Sequence, residues 1–399
     1  MNVKVKELEE IVVTGYGIKA PGVVDSDSFL NVLENGICTQ SILENGNPNG
    51  GDLVAGIINE DFLEINGQKY NRYPRAVRMG VAAALDAVKM SNLSTLKPQR
   101  VAVIMGTAAG AILEIEKYAI ENFDIKTVLL HGITLADSNT LSNSVAEAIG
   151  VNGIAFTITT GCTASLDAIL IAKQLLESGS VDACVVGGAD APLGKWTING
   201  FKKIRSLSTQ PEIEKAGVPF SNEHNGFVLS EGAGVLILER KQSALARNQK
   251  IYGTIERVVS RNEGLKLLRS DSTGQQMLSV FQETVGNTTP SYVNSQALGM
   301  AVNDKIEHFI LKETFGVEVP ITSIKGMIGH TFGAMGVMQV IASILSMERG
   351  FIPPTIKTTG SGFEDTPIVY ETTYQDIQSV VITSHSSSGN NTCLLLKQS

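Results

Sequence analysis

One segment restricts the fold more than any other. Residues 154–160, IAFTITT, form a β-rich run that ends at Gly161, and Cys162 opens a helical stretch running to residue 178. Leu166, Ile169, Leu170 and Ile171 make that helix apolar almost all round. A helix on a protein surface keeps a polar face, so one without such a face has to be buried. The chain must therefore build enough structure around residues 164–178 to cover them.

The surroundings supply it. Short β-branched runs at 11–14, 101–105, 154–160, 183–186 and 234–239 alternate with helical patterns such as 73–90, which predicts α/β layers. A second set follows at 251–259, 291–294, 319–323, 380–383 and 393–397, with a helix over 333–347 inside it. We read two similar halves, 1–245 and 246–399, forming one intimate unit. The first carries Cys162 and the second Gln296, Lys325 and His330. The repeat is architectural, because no identity between the halves is visible. The polar stretch 261–276 reads as a surface loop.

Composition narrows the function. The 399 residues carry a net charge of −8 with 18% charged and 43% hydrophobic residues, which excludes a disordered chain and argues against nucleic-acid binding. Four cysteines, Cys38, Cys162, Cys184 and Cys393, form no CxxC pair. No uninterrupted apolar run reaches about eighteen residues, and the N-terminus has no apolar signal core, so the chain reads as cytoplasmic with no membrane contact. There is no GxxxxGK[ST], HExxH, EF-hand or GxSxG pattern, and no metal or cofactor is expected.

Four segments carry chemistry. Cys162 at a helix start sits in the positive field of free amides, which favours thiolate and lets the same amides hold an oxyanion. The alternative is a small buried cysteine. In SIKGMIGHTFGAMG, residues 323–336, a glycine-rich turn places Lys325 and His330 just before a helix. A neutral imidazole there can donate to developing negative charge; the alternative is an ordinary surface turn. In NGFVLSEGAGVLILE, residues 225–239, Glu231 reads as a buried carboxylate that ties loops together. SHSSSGNNTC, residues 384–393, reads as a polar, flexible loop.

Together these segments resemble the β-ketoacyl-[acyl carrier protein] synthases, condensing enzymes of the thiolase superfamily. IVVTGYGIKAPG, RVAVIMGTAAG, TTGCTASLDAI, GVPFSNEHNGFVLSEGAGVLILE, SIKGMIGHTFGAMG and GFIPPT stand in family order over nearly the whole chain. The resemblance implies a five-layered αβαβα thiolase-like fold made of two related halves. It implies an acyltransferase of the fatty-acid or polyketide type, with Cys162 as acyl acceptor, His330 donating to the thioester or enolate oxygen, and Lys325 supporting His330. The backbone amides of Cys162 and Ser388 would form the oxyanion hole.

Two departures matter. Val293, Asn294, Asn303 and Asp304 match the family segment, but Gln296 replaces its first histidine. Glutamine donates a hydrogen bond but carries no proton at neutral pH, so Gln296 is assigned to positioning the acceptor. The substrate-pocket loop Ser386, Ser387, Ser388, Gly389, running into Asn390, lacks the usual Gly-Phe-Gly-Gly turn. The implied partners are an acyl carrier protein or acyl-coenzyme A and a second copy of the chain, or a second ketosynthase in a heterodimer. A non-elongating or chain-length-factor-like subunit is the alternative. Arg72, Arg75 and Arg78, and Lys202, Lys203 and Arg205, are the candidate carrier-docking clusters; the alternative is ordinary solvated charge.

Overall fold

The computed structural model describes residues 9–47, 50–93, 96–121, 132–265 and 271–399. Ten strands form one large sheet. They are β1 (Ile11–Lys19), β2 (Val101–Gly106), β3 (Ala155–Ile158), β4 (Ala183–Asp190), β5 (Gly232–Arg240), β6 (Gly253–Asn262), β7 (Tyr292–Asn294), β8 (Ile321–Thr322), β9 (Ser379–His385) and β10 (Asn390–Lys397). Each β-branched run singled out above lies in one of them.

The spatial order is β8-β7-β9-β10-β6-β1-β5-β4-β2-β3. In the first half β3, β2 and β4 are parallel, and β5 and then β1 follow antiparallel. In the second half β8, β7 and β9 are parallel, and β10 and then β6 follow antiparallel. The halves meet where β1 pairs antiparallel with β6, Val12 opposite Thr254. Each half thus repeats one five-strand pattern, as the thiolase-like expectation requires.

Equivalent helices follow equivalent strands. Helix α1 (Arg75–Ser91) packs on the first half. Helix α2 (Ala164–Glu177) follows β3, α3 (Ala301–Phe315) follows β7, and α4 (Met335–Arg349) follows β8. Leu166, Ile169 and Leu176 of α2 share one buried core with Val337, Ile341 and Ile344 of α4 and with Ile104, Leu236, Ile382 and Leu394 of the sheet. Burying each such side chain contributes about 1.5–3 kcal/mol. The two helices approach closely because Gly336 has no side chain; a Cβ there would lie 2.5 Å from Leu166 Cγ. The Val337 amide also donates to Ser165 Oγ at 3.0 Å.

Two boundaries differ from expectation. Arg261 and Asn262 extend β6 rather than opening a loop, because they pair with Asn391 and Asn390. Residues 266–270 of that stretch lie outside the described residues. Cys162 belongs to a short 3₁₀ turn, Gly161–Thr163, and the α-helix starts only at Ala164. Among the described residues no helix is long and apolar enough to cross a membrane.

Candidate active site

The β3-to-α2 turn is fastened on several sides. Asp167 on the first turn of α2 accepts from Thr160 Oγ1 at 2.5 Å, Thr163 Oγ1 at 2.7 Å and, across the halves, Thr392 Oγ1 of β10 at 2.7 Å. The Cys162 carbonyl accepts from Ser384 Oγ at 3.0 Å. Gly161 takes a left-handed φ of +73°, which turns the chain so that Cys162 faces the second half.

From that half comes His330. Its amide donates to Val228 O at 2.8 Å and its carbonyl accepts from Ser230 N at 3.0 Å, so the segment before Glu231 clamps its backbone. Its ring stacks on Phe332 at 5.0 Å and meets the edge of Phe227 at 5.4 Å. Nε2 lies 3.2 Å from Cys162 Sγ, and Nδ1 is buried without a hydrogen-bond partner. The following turn is held by Asp190 at the end of β4, which accepts from Gly333 N at 2.7 Å, Ala109 N at 2.8 Å and Thr107 Oγ1 at 2.7 Å.

The electrostatics correct one expectation. Burial, and secondarily the Asp190 carboxylate, push the Cys162 thiol up to about 12. Its own amide, Lys325 and the Ser386 hydroxyl pull in the other direction but do not win. Desolvation in the aromatic cage, helped by the charges of Lys325 and His385, lowers His330 to about 3. The resting pair is therefore thiol and neutral imidazole, not thiolate. The helix-start field is too weak to offset the loss of water around sulfur.

Lys325 is buried, and its Nζ donates to the Ser295 carbonyl at 2.6 Å. Burial lowers it to about 7 against the opposing pull of Glu307. Its direct support thus goes to the segment preceding Gln296, and it reaches His330 only through its charge. Gln296 is fully buried. Its amide nitrogen Nε2 donates to His385 O at 3.4 Å, and its Oε1 has no partner. Gln339 of α4 braces the same segment, donating to Asn294 O at 2.9 Å and Ser295 O at 3.1 Å.

Sequence reasoning missed Glu307 and His385. Glu307 is fully buried and takes His385 Nε2 at 3.1 Å. The available signal was an imidazole closing a β-branched run, in a segment read only for its serines. In that loop, Ser386 sits beside the thiol, and the Ser388 amide lies 3.4 Å from Ser386 Oγ. Ser387 and Ser388 are exposed. Ser386 accepts from Gly389 N at its carbonyl.

The remaining candidates separate. Glu231 is buried and binds Arg75 through two contacts of 2.7 and 2.8 Å, and it accepts from Ile58 N at 2.9 Å. It ties the loop around Ile58 to the start of α1. Arg75 is thereby withdrawn from any docking surface: Glu231, Asp61 and the Ile58 carbonyl occupy its guanidinium. Arg78 donates to Asp61 O, and Lys202 to Asn47 Oδ1. Arg72, Lys203 and Arg205 are exposed.

Comparison with known proteins places this geometry in a family. The family described as β-ketoacyl synthase matches through its N-terminal domain over residues 8–244 and its C-terminal domain over residues 252–359. The actinorhodin polyketide β-ketoacyl synthase 1 of Streptomyces coelicolor is 30% identical over 367 residues, 86% of this chain and 79% of that protein. The 3-oxoacyl-[acyl-carrier-protein] synthase 2 of Staphylococcus aureus is 27% identical, covering 87% and 88%. Among solved structures, a type II polyketide acyl-carrier protein in complex with its ketosynthase bound to the hexaketide aligns with a TM-score of 0.87 and 26% identity, over 98% of this chain and 100% of that one. The ishigamide ketosynthase/chain length factor aligns with a TM-score of 0.88 at 23% identity over 98% and 99%, which bears on fold alone.

Proposed function

Because this chain belongs to the β-ketoacyl synthase family, we propose that it is an acyltransferase of the 3-oxoacyl-[acyl carrier protein] synthase type. It loads an acyl group on Cys162 from a carrier-protein or coenzyme A thioester. The observation that carries this reading is the 3.2 Å contact between His330 Nε2 and Cys162 Sγ. Thiol and imidazole are both neutral at rest, so proton transfer to Nε2 accompanies sulfur attack on the thioester carbonyl. The new S–C bond forms, the oxyanion is assigned to the Cys162 amide and to the Ser388 amide once it leaves Ser386 Oγ, and the old C–S bond breaks. His330 then returns the proton to the leaving sulfur. Proton transfer of this kind contributes about 10²–10⁴-fold, and one oxyanion donor about 10²–10³-fold.

The second half-reaction joins the acyl group to a malonyl-derived carbanion or passes it to another nucleophile. Once the thioester stands, the neutral ring holds its one proton on Nδ1, and exchange of that proton to Nε2 through solvent gives the N–H that donates to the enolate oxygen. The polyketide relatives support specialised biosynthesis with an acyl carrier protein as partner; we assign the chain to the cytoplasm, as a homodimer or a ketosynthase heterodimer. Gln296 favours one other reading, a non-elongating or chain-length-factor-like subunit. The intact Cys162–His330 pair speaks against it.

Acyl thioesters followed by malonyl carrier protein test the proposal by peptide mass spectrometry and carbon dioxide release. An adduct at Cys162 with a β-keto product supports condensation. An adduct without carbon dioxide indicates plain transfer, and no adduct from any donor overturns the acyltransferase.

A further inference from the structure

The missing imidazole at position 296 has a counterpart in another strand. His385 closes β9 and is 8% exposed. Its strand holds Gln296 at two points: Gln296 Nε2 donates to the His385 backbone carbonyl at 3.4 Å, and Gln296 N donates to Thr383 Oγ1 at 2.9 Å, two residues back. The ring's Nε2 lies 3.1 Å from Glu307 Oε1, and its Nδ1 lies 3.0 Å from Asn303 Nδ2. Glu307 Oε2 accepts from Ser295 Oγ at 2.9 Å and Thr383 Oγ1 at 2.8 Å. One buried carboxylate therefore gathers the residue before Gln296, the strand beside it and the imidazole.

This cradle fits both protonation states of the ring. With the Asn303 amide nitrogen against Nδ1, the ring is neutral and donates from Nε2 to Glu307. Rotating the Asn303 amide presents its oxygen to an Nδ1–H, and the ring becomes an imidazolium held by Glu307. Lys325, on the far side of Ser295, is the second base drawn to the same carboxylate. Glu307 thus faces two bases, with Asp304 adding to the pull on Lys325, and a proton on either base balances the Glu307 charge. The other titratable groups that sense the cluster are Asp304 on the Glu307 helix, the Cys393 thiol on β10, His330, and Cys162 through Lys325.

The chemistry of condensation calls for such a store. The Cα–carboxylate bond of the malonyl thioester breaks, its electron pair moves into the thioester carbonyl as an enolate, and carbon dioxide leaves. The enolate carbon bonds to the acyl carbonyl, the bond to Cys162 sulfur breaks, and the thiolate takes up one proton. The negative charge that enters with malonate ends on sulfur, so each turnover consumes one proton.

We propose that the Glu307–His385 pair, with Lys325, holds that proton and its balancing positive charge beside Gln296, in place of the imidazole that the family carries at position 296. The inference rests on the condensing reading of the same site. The His385 ring acts through Glu307, and its backbone carbonyl holds the Gln296 amide, so it is a positioning and proton-holding residue. It is not assigned a contact with substrate.

His385→Gln keeps a polar side chain but holds no proton. The expected result is acyl loading of Cys162 within about threefold of the parent, carbon dioxide release down about 100-fold, and loss of one limb of its pH profile. Adding Gln296→His should restore at least about tenfold of the release. Unchanged release and pH profile in His385→Gln overturn the proposal. So does equal loss of loading and release, or release from the double variant no higher than from the single one. Should His385→Gln not fold, Asn303→Leu, which removes the reversible amide, must shift the same pH limb. A parent that loads but never releases carbon dioxide also overturns it. A parent that does not load at all removes the condensing reading instead, and the pair is then read directly. The ring-carbon signals of the five histidines are titrated in the parent and in Lys325→Met, with His385 identified by its absence in His385→Gln. Removing the ammonium must move the His385 signals toward the imidazolium form, and unmoved signals refute the shared proton.

Discussion

The Cys162 thiol and the His330 imidazole meet at 3.2 Å as two neutral groups. Burial favours the uncharged form of each, so the thiol is pushed up and the imidazole down. A free thiolate therefore accumulates only in alkaline solution. The expected rate of Cys162 alkylation by iodoacetamide, followed by peptide mass spectrometry, rises steadily from pH 7 to pH 10 without levelling (about a tenfold change per unit at most). A plateau below pH 7 would show a preformed thiolate–imidazolium pair and reverse the assignment. His330→Ala should slow acyl loading about 100-fold or more, since it removes the proton acceptor for attack.

Glu231 and Arg75 test a structural role within a conspicuous motif. Their side chains are 3% and 11% exposed, and Arg75 Nε lies 2.7 Å from Glu231 Oε2. Removing one partner leaves the other charge buried, which costs about 3–5 kcal/mol for a buried pair. Glu231→Gln should lower the urea midpoint accordingly. Arg75→Met alone should do the same, while the double variant should lose clearly less than the sum. Strict additivity would show that the two charges do not depend on each other.

Carrier docking is expected to use the charges that the fold leaves exposed. Arg72, Lys203 and Arg205 are exposed, whereas Arg75 is committed to Glu231 and Asp61. An acidic partner would be steered by the exposed groups against the net charge of −8. Reversing them as Arg72→Glu or Lys203→Glu/Arg205→Glu should raise KM for an acyl-carrier donor about tenfold at low salt, and the difference should shrink at high salt. Transfer from acyl-coenzyme A to Cys162 should change little. An equal loss with both donors would mean damage to the site rather than to docking.

The sequence made the ten strands legible because they are short apolar runs, most of them β-branched, bounded by turns, and it marked Cys162, His330 and Glu231 because each interrupts an apolar pattern. What it concealed was contact across the halves. That Lys325 braces Ser295, or that Glu307 receives His385, depends on β7, β8 and β9 lying side by side. Residues 295, 307, 325 and 385 have no periodic relation in the chain. The state of the Cys162 thiol was misread for a similar reason. Local helix geometry is visible in a sequence, whereas the Phe227, Leu229 and Phe332 cluster that covers Cys162 and the Asp190 charge that opposes its ionisation reach the site from distant segments.

The loop that replaces the family's aromatic turn leads to the last prediction. Gly161 has φ +73° and faces Ser386, so that a Cβ would lie 2.4 Å from Ser386 Oγ. Gly161→Ala therefore carries two separate costs, left-handed strain of about 1 kcal/mol and a clash with a hydroxyl that also serves the Cys162 thiol. Ser386→Gly relieves only the second. Loading of Cys162 should fall strongly in Gly161→Ala, recover in part in Gly161→Ala/Ser386→Gly, and decline by a few-fold in Ser386→Gly alone through loss of the hydroxyl's hydrogen bond. Acyl adducts timed by intact-mass measurement separate these outcomes. A double variant no better than Gly161→Ala would mean that backbone strain at 161, and not the serine that has taken the place beside it, sets the position of the nucleophile.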